Sequence, residues 1–152
     1  MIDYSKLQVQ ILKDLCRDEK ITNIYSVNDN SVYLSDSHGY MFVKIPNNKF
    51  ILDINKLRKR ECNGFEKVYI NYTNFENVTD TYTLKFSNSV IKNRTCRVFL
   101  CKGKECYVDE KLLKIIGYSS DYIVKRIPNK KGILLFYVDD KLIGGIMPVM
   151  LN

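Results

Sequence analysis

The chain has 152 residues, of which 45% are hydrophobic and 27% charged, a mixture typical of one ordered globular domain rather than of a disordered segment. Its formal net charge of +7 favours a polyanionic partner. No run of about 20 apolar residues could span a membrane, and the start, MIDYSKLQVQ, lacks the apolar core of a secretory signal, so we expect a cytoplasmic protein.

The cysteines predict neither a disulfide framework nor a metal site. Their number, five, is odd, and no two of them have the CxxC spacing of a zinc site. Cys96, Cys101 and Cys106 recur every five residues, but a strand would turn alternate members to opposite faces. We therefore expect reduced thiols, no metal and no other cofactor.

The first periodic segment, residues 4–20, is predicted to form an amphipathic helix. Leu7, Ile11, Leu12 and Leu15 fall on one side at about 100° per residue and are expected to face a core. The basic side chains cluster on the far side. They are Lys6, Lys13, Arg17 and Lys20. Such a face either contacts a polyanion or only keeps the helix solvated, and the sequence leaves both interpretations open.

An alternating pattern follows this helix. It predicts three antiparallel strands, residues 21–27, 30–36 and 39–46, joined by the polar turns NDN and SDSHG. His38, the single histidine, lies in the second turn. Because it has no second histidine or nearby cysteine, we expect a turn residue rather than a metal ligand or a nucleophile.

The middle of the chain, residues 47–106, is less regular. Its first part carries the densest positive cluster, Lys56, Arg58, Lys59 and Arg60, and fits either a short helix or a basic loop. Beyond that cluster, three alternating segments are predicted to be strands. They are residues 65–72, 80–88 and 95–103.

The last third again places a helix before three strands. Residues 108–117 are predicted to form a short helix that ends at a glycine and turns Lys111 and Lys114 away from the core. The strands that follow are residues 121–128, 132–139 and 141–151. A helix and three strands thus occur both in 4–46 and in 108–151. This indicates two half-units around one core, within a single α+β domain that spans residues 1–152.

The stretch LLFYVDDKLIGG, residues 134–145, is similar to the hairpin with which reverse transcriptases hold catalytic magnesium. That chemistry needs further carboxylates on a neighbouring strand, and Asp53 is the one plausible upstream candidate. A turn between two apolar strands accounts for Asp139 and Asp140 by turn preference alone. The sequence also has no paired general acid and base, no nucleophile with a positioned histidine and no glycine loop that cradles phosphate, so we expect no enzyme.

Two parts of the chain resemble a known family. The segments YVDEKLLKIIG and LLFYVDDKLIGGIMPVML resemble the closing half-domain of the bacterial DNA polymerase III beta subunit, the sliding clamp, which ends in an MPMRL-type sequence. In LSDSHGYMFVKIP, Asp36 and His38 match the family's TDGHRL hairpin. Met150 replaces the family's terminal arginine, and Ser37 replaces the hairpin's glycine.

The resemblance implies a clamp-like fold of two helix-plus-antiparallel-strands half-units, with the helices on one face of the sheets. In that family the helices line a ring around DNA and touch phosphates without reading bases. Carried over by position, the DNA side is Lys6, Lys13, Arg17, Lys20, Lys111 and Lys114. The family also has a groove near the carboxyl terminus that accepts short peptides from polymerases and other partners. Its counterpart here is Met147, Pro148, Val149 and Met150.

The function implied by the resemblance is that of a processivity factor in DNA replication, in a bacterial or phage-infected cell. A bacterial clamp subunit carries three such domains, so a ring built from this chain would need several copies associated head to tail. Lysines at the phosphate backbone would give salt-dependent attraction without sequence specificity. The alternative keeps the fold and drops the DNA: a protein-interaction module or an inhibitor that engages host factors.

Overall fold

A computed structural model describes residues 1–16, 23–28, 31–35, 41–45, 74–127 and 132–151. The predictions made for Arg17, Lys20, His38, Asp53 and the basic segment 56–60 lie outside the described residues. The same holds for the strand predicted at 65–72.

The first helix, α1, is Tyr4–Cys16. Its start is capped by Asp3, whose carboxylate accepts a hydrogen bond from the backbone N–H of Lys6 at 3.0 Å. Leu7 is buried in the core as predicted, whereas Leu12 is 44% exposed, contrary to prediction. The reason is geometric, since five residues along a helix turn a side chain by about 140°.

The alternating segments after α1 form an antiparallel meander, which confirms the three predicted strands. They are β1 (Asn23–Asn28), β2 (Ser31–Ser35) and β3 (Met41–Ile45). Met41, Val43 and Ile45 of β3 face the main core, and Phe42 on the opposite face is also buried, so Lys44 is the one side chain of this strand that is not buried.

The middle of the chain supplies three further antiparallel strands. They are β4 (Thr81–Ile91), β5 (Arg94–Cys101) and β6 (Lys104–Asp109). The first two were predicted. β6 was not, because the sequence assigned its last residues to the following helix and its polar start, KEC, carries no strand pattern.

The second helix, α2, is Glu110–Ile116, close to the predicted range. Asp109 caps its start by accepting a hydrogen bond from the backbone N–H of Lys111 at 2.9 Å. Gly117 ends it in the left-handed conformation, at φ 64°, and donates its backbone N–H to the carbonyl of Leu113.

The last three strands form a second meander. They are β7 (Ile123–Arg126), β8 (Leu134–Val138) and β9 (Lys141–Ile146). Asp139 and Asp140 are the two turn residues between β8 and β9, with φ of 48° and 58°. Positive φ at both positions is the geometry of a tight hairpin turn, as predicted. β9 ends before Pro148, five residues earlier than predicted, and proline has no N–H to continue a ladder.

The nine described strands follow one continuous antiparallel order, β1-β2-β3-β9-β8-β7-β4-β5-β6. The first seven form one sheet, and β4 continues from it into a smaller sheet with β5 and β6. β3 lies beside β9, with Met41 opposite Ile146, so the two meanders meet edge to edge.

The central strands are buried on both faces of the large sheet. One face of β8, with Leu134 and Phe136, joins the main core, to which both helices contribute. The other face, with Leu135 and Tyr137, packs under Phe75, in a short 3₁₀ turn, and under neighbouring apolar side chains. Burial on both sides explains why β8 is an unbroken apolar run.

Candidate nucleic-acid interface

The two helices that carry the predicted cationic residues lie next to each other. The start of the chain is tied to the end of α2 by two hydrogen bonds: Met1 N donates to the Gly117 carbonyl at 2.9 Å, and the Asp3 backbone N–H donates to the Ile115 carbonyl at 2.8 Å. Leu7 of α1 and Leu113 of α2 belong to the same core cluster. The two helices are therefore in contact, although about 100 residues separate them in sequence.

Two of the predicted cations are partly neutralised by carboxylates on their own helix. Lys6 Nζ lies 2.9 Å from an Asp3 oxygen, and Lys114 Nζ lies 3.3 Å from a Glu110 oxygen. The Lys6 backbone N–H and ammonium hold the pKa of Asp3 below its usual value. The two lysine side chains are 62% and 63% exposed, so solvent screens both pairs and an incoming phosphate could compete for either lysine.

Lys13 and Lys111 are both exposed, and neither forms an ion pair with another described residue. Within the described part of the chain, these two predicted cations are therefore not neutralised by a carboxylate and are available to an anion.

The carboxyl-terminal segment is fastened to an edge strand. The Val149 backbone N–H donates to the carbonyl of Tyr107, in β6, at 2.8 Å. Pro148 is buried, Met147 and Val149 are half-buried, and Met150 is 47% exposed. A peptide bound to this segment would therefore contact Met150 and the exposed parts of Met147 and Val149, whereas the buried Pro148 would not be accessible to it.

A pocket of about 340 Å³ opens between α2 and the β4–β5 hairpin. Arg97, Glu110 and Lys114 line it together with apolar side chains such as Leu84 and Tyr118. One Glu110 oxygen lies 4.0 Å from the Arg97 guanidinium and the other is the partner of Lys114. Arg97 Nε is buried and, within the described residues, has no hydrogen-bond partner. The pocket thus presents two cations against one carboxylate.

Neither Arg97 nor the hairpin that carries it was predicted from the sequence to belong to a functional site. A signal was present, since residues 81–104 contain six lysines and arginines and no aspartate or glutamate. They are Lys85, Lys92, Arg94, Arg97, Lys102 and Lys104. The number of charges along a strand does not predict a binding site unless the exposed face of the strand is known. The sequence pattern alone therefore did not indicate a site here.

Other chemistry-bearing groups among the described residues include two aspartates in a turn and three buried thiols. In the described ranges, no three histidine, cysteine, aspartate or glutamate side chains are grouped to hold a metal ion. Asp139 and Asp140 are exposed in their turn. Cys96, Cys101 and Cys106 are buried free thiols, and burial raises the pKa of Cys106 to about 11. No helix in the described part is long and apolar enough to cross a membrane.

Comparison of the chain with protein-family models, with curated proteins and with solved structures found no match. The function is therefore inferred from the described side chains and their surroundings. They define an α+β protein with an extended antiparallel sheet and a lysine-bearing surface on two adjacent helices.

Proposed function

We propose that the chain is a non-enzymatic, sliding-clamp-like protein that binds duplex DNA without sequence specificity through the exposed surface of α1 and α2. The observation that carries this proposal is the contact between the two helices, each of which displays lysines. Ammonium groups on neighbouring helices can follow a phosphate backbone, and they supply affinity without reading bases.

The arrangement of the strands supports a clamp-like organisation of two half-units. Each meander follows a helix in the chain, and the last strand of one, β3, pairs antiparallel with the last strand of the other, β9. An antiparallel pair is related by a local twofold axis, which is the pairing that a pseudo-symmetric duplication would need where its two units meet.

The second part of the proposal concerns partners. Exposed Met150 and the half-buried Met147 give the carboxyl-terminal segment a deformable apolar surface, of the kind that repacks around different peptides. In a replication setting, in the cytoplasm of a bacterial or phage-infected cell, that surface would capture polymerases or other clamp-binding proteins.

A second candidate function has its own support. Carboxylates accompany Lys6 and Lys114, which is what a solvated, salt-bridged helix surface would show. On that interpretation the chain is a protein-interaction or inhibitor module of the same fold that does not bind DNA.

Salt dependence separates the two candidates. We expect the affinity for a random-sequence duplex to fall steeply as salt rises, because each neutralised phosphate releases counterions. Lys13→Gln and Lys111→Gln should each reduce the slope of log K against log salt by about one. The measurement is fluorescence anisotropy with a labelled duplex at several salt concentrations.

Lys44→Gln is the matched control, because Lys44 lies on β3 with its side chain on the sheet face opposite the helices. Its slope should equal that of the wild type. Absence of salt-sensitive binding by the wild type in dilute buffer would exclude the DNA function and favour the interaction module.

A further inference from the structure

The outer part of the β4–β5 hairpin, residues 85–97, is here called the arm; most of its side chains are exposed, although Cys96 is buried. Leu84 pairs with Phe99 and Asn88 pairs with Arg97, so residues 85–87 of β4 lie opposite Val98 alone. This is a bulge of three residues against one, and bulges redirect side chains out of the regular pleat. At its centre Phe86 is fully exposed, with a relative accessibility of 101%.

A second apolar side chain accompanies this ring. Val90, nearer the tip of the arm, is 76% exposed. Single exposed apolar residues are ordinary on protein surfaces, but an aromatic ring turned outward by a bulge and accompanied by a second apolar group suggests a contact surface.

The charges on the arm all have one sign. It carries Lys85, Lys92, Arg94 and Arg97 and no acidic residue. Lys85 and Arg97 have carboxylate neighbours outside the arm: Glu105 lies 3.0 Å from Lys85, and Glu110 lies 4.0 Å from Arg97. The arm therefore offers its exposed ring in a positive field, which suits an anionic ligand.

The arm is continuous with the helix surface. Arg97 and Phe99 are two residues apart on β5 and so face the same side, and Phe99 is buried in the core to which α2 contributes. Arg97 also lines the pocket beside Lys114 of α2. A chain of phosphates leaving the helix surface would next contact Arg97, at the inner end of the arm, and then the outer residues of the arm.

We propose that this arm binds single-stranded DNA, with a base stacked on Phe86 and the neighbouring phosphates on the arm's lysines and arginines. A ring that is exposed on all sides can accept the flat face of any base, and stacking of this kind is tolerant of sequence. An apolar peptide side chain would instead need a pocket around it, as binding hot spots generally have. The preference for DNA over RNA rests on the proposed duplex-binding function.

A single-tryptophan variant tests the stacking directly. The chain has no tryptophan, so Phe86→Trp places one fluorophore at the proposed contact. We expect oligo-dT of about 20 nucleotides, a length that exceeds one typical site, to quench its fluorescence. An abasic oligonucleotide of equal length keeps the phosphates and should not quench it. Absence of quenching by oligo-dT, or equal quenching by both, would overturn the proposal.

Affinity measurements on further variants separate stacking from general apolar contact. We expect Phe86→Ala and Phe86→Leu to weaken oligo-dT binding by about tenfold or more, because both lose the aromatic face. Ile123→Ala, which shortens an exposed apolar side chain on β7, should leave the affinity unchanged. Unchanged affinity in Phe86→Leu would also overturn the proposal.

Comparison of three ligands distinguishes this inference from the duplex proposal. Quenching by oligo-dT without any salt-sensitive duplex binding would support single-strand binding by the arm and exclude duplex binding by the helix surface. Duplex binding without quenching would support the helix surface as a duplex site and exclude single-strand binding by the arm. Tighter binding of oligo-U than of oligo-dT would replace DNA by RNA as the ligand and so overturn the proposal as stated.

Discussion

At the scale of single residues, Cys106 shows how burial decides chemistry. The thiol belongs to the main core, and burial raises its pKa to about 11, with a small opposing effect from Arg126. A thiol in this state is protonated at neutral pH and acts as a small apolar side chain. The sequence predicted a reduced cysteine but could not show which cysteines are buried.

The raised pKa of Cys106 predicts a loss of stability at alkaline pH. The unfolded thiol ionises near pH 8.5, and the folded thiol does not until about pH 11, so the stabilisation is complete below pH 8.5 and declines as pH rises. Between pH 7 and 10 the free energy of unfolding should fall by about 1.5–2 kcal/mol more in the wild type than in Cys106→Ala.

Urea denaturation at several pH values measures this difference. The Cys106→Ala variant loses core packing and starts from a lower stability, but the titrations of all other groups are common to both proteins and cancel. Parallel pH dependences would show that the Cys106 pKa is not raised.

At the scale of elements, the end of α2 organises the contact between the helices. Gly117 has φ of 64°, and a Cβ at this position would overlap the carbonyl oxygen of Met1. Gly103, in the turn between β5 and β6, has a similar φ of 76°, but a Cβ there would meet nothing within 4 Å. The two glycines share one conformational requirement and differ in their surroundings.

This contrast predicts different costs for the same substitution. Gly103→Ala should lower the free energy of unfolding by about 1–2 kcal/mol, the cost of a left-handed conformation for a residue with a Cβ. Gly117→Ala should cost more, because the start of the chain must also move away. Chemical denaturation of the two variants measures both values, and equal costs would contradict a close contact between Met1 and Gly117.

At the scale of the whole molecule, the sheet is held together by pairings distant in sequence. β3 pairs with β9 about 100 residues later, and the tail of the chain bonds to β6 through Val149 and Tyr107. These contacts join the two meanders, both helices and the tail around the main core. The pocket between α2 and the β4–β5 hairpin is lined by Arg97 of the arm and by Lys114 of the helix surface.

The clamp-like proposal makes a prediction about assembly. One chain of 152 residues is too small to surround duplex DNA, so encirclement requires several copies. We expect light scattering to give a mass of at least two chains, and we expect the protein to stay on nicked circular DNA and leave it after linearisation. A monomer retained equally on both forms would contradict encirclement but not contact through the lysines.

The sequence by itself determined most of the elements. The period of 3.6 residues marked both helices, alternating or continuous apolar patterns marked eight of the nine described strands, and turn chemistry placed Asp139 and Asp140 between β8 and β9. These are local signals, since they depend on neighbouring side chains and on backbone preference. β6 was not predicted from the sequence, because its pattern is short and runs directly into α2.

Only the tertiary structure decided the strand order, the double-sided burial of β8 and the exposure of Phe86. The β3–β9 pairing depends on residues far apart in the chain, and a periodic pattern reports which face is apolar but not what covers it. The bulge that exposes Phe86 appears only when β4 is aligned against β5, because it is a mismatch between two strands rather than a property of either one.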